Sequence, residues 1–221
     1  MSAMELYDAM RCAPTSRHFS ADPVDPAAIE RALDAARFAP SGGNRQGWRV
    51  VVVTAPQTRR ALRDLYLPHW RAYMESTGGA KMLAEPGAFD AKRTRMLQRA
   101  NEYAEHLDEV PVHLVLGVQL ADLAVTDLAL PRTSIVGGAS IYPFAQNLLL
   151  ALRNEGLGAS MTTLLVPAET AVRELLGIPE EVALAAHIGT GHRADDWPKS
   201  LSRKPVGEFA FAERFGEPFS P

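Results

Sequence analysis

The chain has 221 residues, 47% of them hydrophobic, enough to bury a large core, and a single domain over residues 1–221 is expected. Its formal net charge of -3, with no block of like charge, gives no electrostatic case for nucleic acid or a membrane surface as partner. One cysteine, Cys12, excludes an internal disulfide and a zinc site built from cysteines. No window holds the ~20 apolar residues of a membrane span, and MSAMELYDAMR at the N-terminus lacks the apolar stretch of a signal peptide, so a cytoplasmic, unexported protein is expected.

MELYDAMR reads as a short helix with Leu6 and Met10 on one face, ending before Pro14. A polar link, APTSRHFSADPV, follows. In VDPAAIERALDAARFAP, Asp25 takes the N-cap and Pro26 the first helical position, with Ile29, Leu33 and Ala36 at helical spacing. GWRVVVVTA has four consecutive valines between Gly47 and Pro56 and predicts a strand buried on both faces. PQTRRALRDLYL restarts as a helix. Residues 68–109 change in texture: Gly78, Gly79, Pro86 and Gly87 interrupt a charged sequence dotted with Met82, Leu83, Met96, Leu97, Tyr103 and Leu107. A helical insertion with a mobile middle is expected there, and the charges of 92–109 read as a solvated helix face.

PVHLVLGVQ predicts a second buried strand. ASIYPFAQNLLLALRNEGLGASMTTLLV reads as a helix capped near Ser140, with Pro143 in its first turn, closing around Gly156 to Gly158 into a third strand. An amphipathic helix, PAETAVRELLGIP, a fourth strand, EVALAAHIGTG, and a tail containing prolines and arginines complete the chain. This order predicts an α+β sandwich with helices packed on a central sheet. GLGASM has only the first two glycines of a dinucleotide fingerprint, and no Walker pattern occurs. The six histidines show no pair at metal-ligand spacing, and His187 reads as a core residue of a strand. Cys12 has no evident base, and Ser41 lacks the Gly-x-Ser-x-Gly elbow of a serine hydrolase.

The connection APSGGNRQGW, residues 39–48, carries more than a turn requires. Pro40 with Gly42 or Gly43 would reverse the chain. Ser41 and Asn44 add hydrogen-bonding groups, and the glycines allow backbone to approach a ligand closely. Trp48 offers an apolar wall, although at the start of a strand it reads first as core. The combination points to a binding loop for a planar ligand with polar edges.

TSRHF, APSGGNRQGW, QNLLLALRNEGLGASMTT, LLGIP and SRKPVGEF stand in the order and spacing of the FMN-dependent nitroreductase family, which the chain resembles over about residues 4–209. The resemblance implies a nitroreductase-like α/β sandwich: a central, mainly antiparallel sheet flanked by helices, residues 68–109 as a lid, and a C-terminal tail reaching a partner subunit. It implies FMN whose phosphate and ribityl chain are held by Thr15, Ser16 and Arg17 together with Arg203 of the tail. Guanidinium and hydroxyl groups suit a phosphate because they make charge-assisted, multidentate bonds. Ala13 and Pro14 stand where basic residues are common, with Arg11 or His18 available in compensation. Arg17 has a second position open to it, beside N1 and the C2 carbonyl of the isoalloxazine, where a cation stabilises the reduced anionic ring.

By the same resemblance Ser41, Gly42, Asn44 and Gln46 serve the pyrimidine edge. Met161, Thr162 and Thr163 pass near N5 and O4, largely through backbone groups. Ser140, Ile141 and Tyr142 open the helix that covers the partner's flavin, and Gly47 departs from the usual proline. The implied activity is ping-pong transfer of a hydride from NADH or NADPH through FMN to a small acceptor such as a nitroaromatic or quinone, in a homodimer with shared sites. The flavin supplies the chemistry, so no catalytic side chain is assigned. The alternatives are another reaction of the same fold (dehalogenation, desaturation, flavin fragmentation) and a protein that binds flavin without turnover.

Overall fold

In a computed structural model that describes residues 4–219, α1 (Leu6–Cys12) and α2 (Pro26–Ala36) precede β1 (Trp48–Val53). Three helices, α3 (Pro56–Ser76), α4 (Gly79–Ala84) and α5 (Ala91–Glu105), separate β1 from β2 (Val112–Gln119). There follow α6 (Tyr142–Asn154), β3 (Leu157–Thr162), α7 (Glu169–Leu176) and β4 (Val182–His192). The strands form one sheet in the order β1-β2-β4-β3, every neighbouring pair antiparallel. The α+β arrangement read from the sequence is the one observed, and the stretch 68–109 is helical, with α3 continuing through Pro68.

Local chemistry accounts for most element boundaries. The Asp25 carboxylate accepts a hydrogen bond from the Ala27 backbone N–H at 3.0 Å, with Pro26 in the first turn, so α2 starts where its cap dictates. Pro143 sits in the first turn of α6 as expected, but Ser140 does not cap that helix. Ile141 precedes the first turn, and the Ser140 hydroxyl instead accepts from the Gly42 backbone N–H at 3.0 Å. A helix N-terminus and a distant loop compete for one hydroxyl, and the loop wins.

Side chains alternate across β2, as a strand's two-residue period requires. Val112, Leu114, Leu116 and Val118 pack with Ile29 of α2 and Phe144 and Leu148 of α6. Val115 faces the other way, into a layer containing Leu62 and Tyr66 of α3, Tyr103 of α5 and Val172 of α7. With both faces covered, β2 is buried along nearly its whole length. The same expectation for β1 is corrected: β1 is an edge strand, and Val52 remains 45% exposed. Consecutive valines record a preference for extended backbone, which an edge strand satisfies as well as a central one.

Between the sheet and α3, two histidines 74 residues apart meet: His113 Nδ1 and His187 Nε2 are 2.7 Å apart, with the rings stacked at 5.0 Å. Burial holds His187 down to about 4 and, with the neighbouring His187 and Arg59, pushes His113 well below its ordinary value. His187 thus lies in the core as expected, but its Nδ1 has no hydrogen-bond partner among the described residues.

Candidate functional site

The two ends of the chain are stitched together beside the N-terminal end of β3. Ser16 N–H donates to Ala159 O at 2.8 Å and Ser20 N–H to His192 O at 2.9 Å. In return, Ala194 N–H donates to His18 O at 3.1 Å and Leu201 N–H to Arg11 O at 2.8 Å. This seam forms one wall of an open cleft of about 1490 Å³. Its volume exceeds the roughly 300–1,000 Å³ of a pocket for one small molecule, so it has room for two.

Of the N-terminal residues singled out from the sequence, Thr15, Arg17 and His18 line this cleft, and Arg203 of the tail joins them. Ser16 does not line it. Ser16 is fully buried and its hydroxyl accepts from Arg193 Nη1 at 2.9 Å. Gly158 makes room for that contact, since a Cβ there would meet Ser16 Oγ at 2.7 Å and Arg193 Cγ at 2.6 Å.

The opposite wall is α5. Lys92, Arg95, Arg99, Glu102, Tyr103 and His106 recur at three- and four-residue spacing, so they share one helix face, and that face looks into the cleft. Lys92, Arg95 and Arg99 are exposed, so this face is solvated as expected and, in addition, borders the open cleft. The cleft gathers six basic side chains, Arg17, Lys92, Arg95, Arg99, Arg193 and Arg203, against four carboxylates. The excess of cations favours an anionic ligand.

The inner end is aromatic. Burial raises the Tyr103 hydroxyl, which also feels the charges of Tyr66 and Arg17. Burial likewise raises Tyr66, against the opposing effects of the Thr162 hydroxyl and of Arg17. Tyr66, Met161, Thr162 and Thr163 are not among the residues that line the cleft. Met161 and Thr163 are exposed, and Thr162 Oγ1 accepts from Leu164 N–H at 3.2 Å.

The loop of Ser41, Gly42, Asn44 and Gln46 lies elsewhere. Trp48 pairs with Val118, which pairs with Ala183, at the start of β4. Arg193 directly follows the end of that strand. At about 3.3 Å per residue the loop and Arg193 are therefore roughly 30 Å apart. Within the loop, Ser41 Oγ accepts from Gln46 N–H at 3.0 Å and Gln46 Nε2 donates to Asn44 Oδ1 at 3.2 Å. Asn44 and Gln46 both hold left-handed backbone, φ 54° and 53°, a cost of order 1 kcal/mol or more each that concentrates at ligand-binding loops. A Cβ at Gly47 would meet the Asp122 Cβ at 2.7 Å, which explains the absence of proline there. Trp48 stacks on Phe144 at 5.0 Å and is core.

Arg193, Tyr66 and the cleft face of α5 were not found from the sequence. The α5 face had a signal in its spacing. Arg193 had none, because nothing before the fold places the residue after β4 against TSRHF.

Comparison with known proteins agrees with this architecture. The model described as "Nitroreductase family" matches residues 14–192. The 5,6-dimethylbenzimidazole synthase of Rhodobacter capsulatus is 29% identical over 195 residues, 87% of this chain and 86% of that protein. An NADH dehydrogenase of Thermus thermophilus is 31% identical over 189 residues, 81% and 82% of the two chains. The crystal structure of oxidized iodotyrosine deiodinase bound to FMN and 3-iodo-L-tyrosine superposes with a TM-score of 0.69 at 21% identity, over 94% of this chain and 100% of that one. The chain spans 63% and 65% of the length of the rat and mouse iodotyrosine deiodinases that it also matches.

Proposed function

Because the chain belongs to the nitroreductase family, we propose that it is a cytoplasmic FMN-dependent oxidoreductase, taking a hydride from NADH or NADPH and passing electrons to a small acceptor such as a nitroaromatic or quinone. The observation that carries the reading is the cation-rich cleft, assembled from segments near both termini of the sequence. The residues fit the cofactor: Thr15, Arg17 and Arg203 are the donor types that hold a phosphate and a ribityl chain. FMN, when bound, supplies hydride and electron transfer itself.

What the chain contributes is binding, orientation and charge. Arg17 lines the cleft, and its charge, felt by Tyr66 and Tyr103, favours a ligand that gains negative charge. Thr162 and the backbone around Met161 and Thr163, at the end of β3, would orient the reacting ring. The α5 wall narrows access and acts as the cover of the site. Ser41, Gly42, Asn44 and Gln46 would serve the cofactor of a second copy in a homodimer, since one chain holds them too far from its own cleft.

The test is anaerobic mixing of the yellow, FMN-loaded protein with NADH or NADPH. Flavin absorbance is expected to bleach rapidly and to return on adding a nitroaromatic or a quinone. Flavin that stays oxidised under excess of both nicotinamides overturns the reductase reading. The likeness to a benzimidazole synthase supports a second reading, a flavin enzyme of the same fold with another reaction. Bleaching without turnover of any nitroaromatic or quinone would favour it.

A further inference from the structure

The N-terminal motif lacks bases at positions 13 and 14, yet the cleft does not lack a cation there. Arg193, immediately after β4, enters from the other end of the chain: Phe19 pairs with it across the seam, and its Nη1 donates to Ser16 at 2.9 Å. Its Nε donates to Asp195 O at 3.3 Å and its Nη2 to Asp196 O at 2.9 Å. A guanidinium has five N–H donors. Three are used, and one hydrogen remains on each terminal nitrogen, available to a further acceptor such as a phosphate oxygen.

The side chain is only 9% exposed, and its closest carboxylate, Asp195, stands 3.9 Å away. Trp197 stacks beside it, with the guanidinium of Arg193 5.0 Å and that of Arg153 3.7 Å from the ring centroid. Desolvation lowers the Arg193 pKa, and the charges of Arg153 and Arg99 add to that against the opposing pull of Asp195. A largely dehydrated guanidinium whose nearest carboxylate stands 3.9 Å away gains from a closer anion. We infer that Arg193 is a direct ligand of the FMN phosphate, standing in for the bases missing at Ala13 and Pro14, with Ser16 and Trp197 as its positioning residues. The inference rests on the reading that FMN occupies the cleft.

Riboflavin, which is FMN without the phosphate, separates this role from a structural one. Flavin-stripped full-length chain is titrated with FMN and with riboflavin, and binding is read from flavin fluorescence. Losing a charge-assisted bond is expected to weaken FMN by about ten- to a hundredfold in Arg193→Gln, with riboflavin changed by less than about twofold. Arg193→Lys should recover part of the FMN affinity, and Ser16→Ala, which frees the guanidinium but keeps the charge, should lose less than Arg193→Gln, again for FMN alone. Equal losses for both flavins in Arg193→Gln and Ser16→Ala, or no loss for FMN, overturn the assignment. If Arg193→Gln does not fold, Ser16→Ala and Arg193→Lys carry the same comparison. A wild-type chain that binds riboflavin as tightly as FMN overturns the phosphate role alone, whereas one that binds neither overturns the proposed function as well.

Discussion

His113 and His187 meet through their ring nitrogens in the buried layer, 2.7 Å apart, and burial favours the neutral form of both. In the unfolded chain each returns to an ordinary value of about 6.5. Because burial depresses both in the fold, the unfolded state takes up protons first as pH falls. The stability the neutral pair contributes is fully present above about pH 6.5 and is lost as pH falls toward about 4, the value to which His187 is held. Urea midpoints measured across that window should decline on acidification, at up to about 1.4 kcal/mol per pH unit for each histidine. Replacing both with glutamine should flatten the decline. A wild-type midpoint that stays level from pH 6.5 to 4 would contradict the assignment.

Among the elements, α6 shows what packing is worth: Phe144, Leu148 and Leu152 follow one another at four-residue spacing and are all buried against β2. Leu148→Ala leaves a cavity with no exposed edge into which the core can relax, so unfolding free energy should drop by about 2–5 kcal/mol. Lys92→Ala on the exposed cleft face of α5 should stay within about 0.5 kcal/mol of wild type. Chemical denaturation of the two variants checks both. That difference also marks what the sequence could disclose. The apolar stripe of α6, the cap at Asp25 and the four strands are written in local spacing and local chemistry, so they could be read. The edge position of β1, the diversion of Ser140 to Gly42 and the cleft bordered by the exposed face of α5 depend on which elements become neighbours, and no residue spacing encodes that. Likewise, Thr15, Arg17 and Arg203 could be recognised by motif, while Arg193 required the seam between the chain ends.

For the whole molecule, the sheet itself separates the expected binding loop from the cation-lined cleft, one at each end of β4. A two-fold dimer that sets the loop of one chain against the cleft of the other would unite them. Leu6, Tyr7 and Met10 of α1, all at least half exposed, are apolar surface such a partner would cover. Mixing a cleft-defective Arg203→Ala chain with a loop-defective Asn44→Ala chain, then allowing subunits to exchange, should restore intact sites. About a quarter of all sites recover if exchange is random, because half the dimers are mixed and each holds one intact site. Titration of tight FMN sites after exchange reads this number, and no recovery would rule out sharing. The seam joining residues 11–20 to residues 192–201 bears on biosynthesis too. During translation the N-terminal wall of the cleft must wait, unpaired, until residues 192–201 have left the ribosome. Closing so long a loop adds only a logarithmic entropy cost, so the seam forms readily once its second half exists. FMN bound against the seam, as proposed, would load only after both of its halves exist, and free FMN would then set, by mass action, how firmly newly made molecules hold the two segments together.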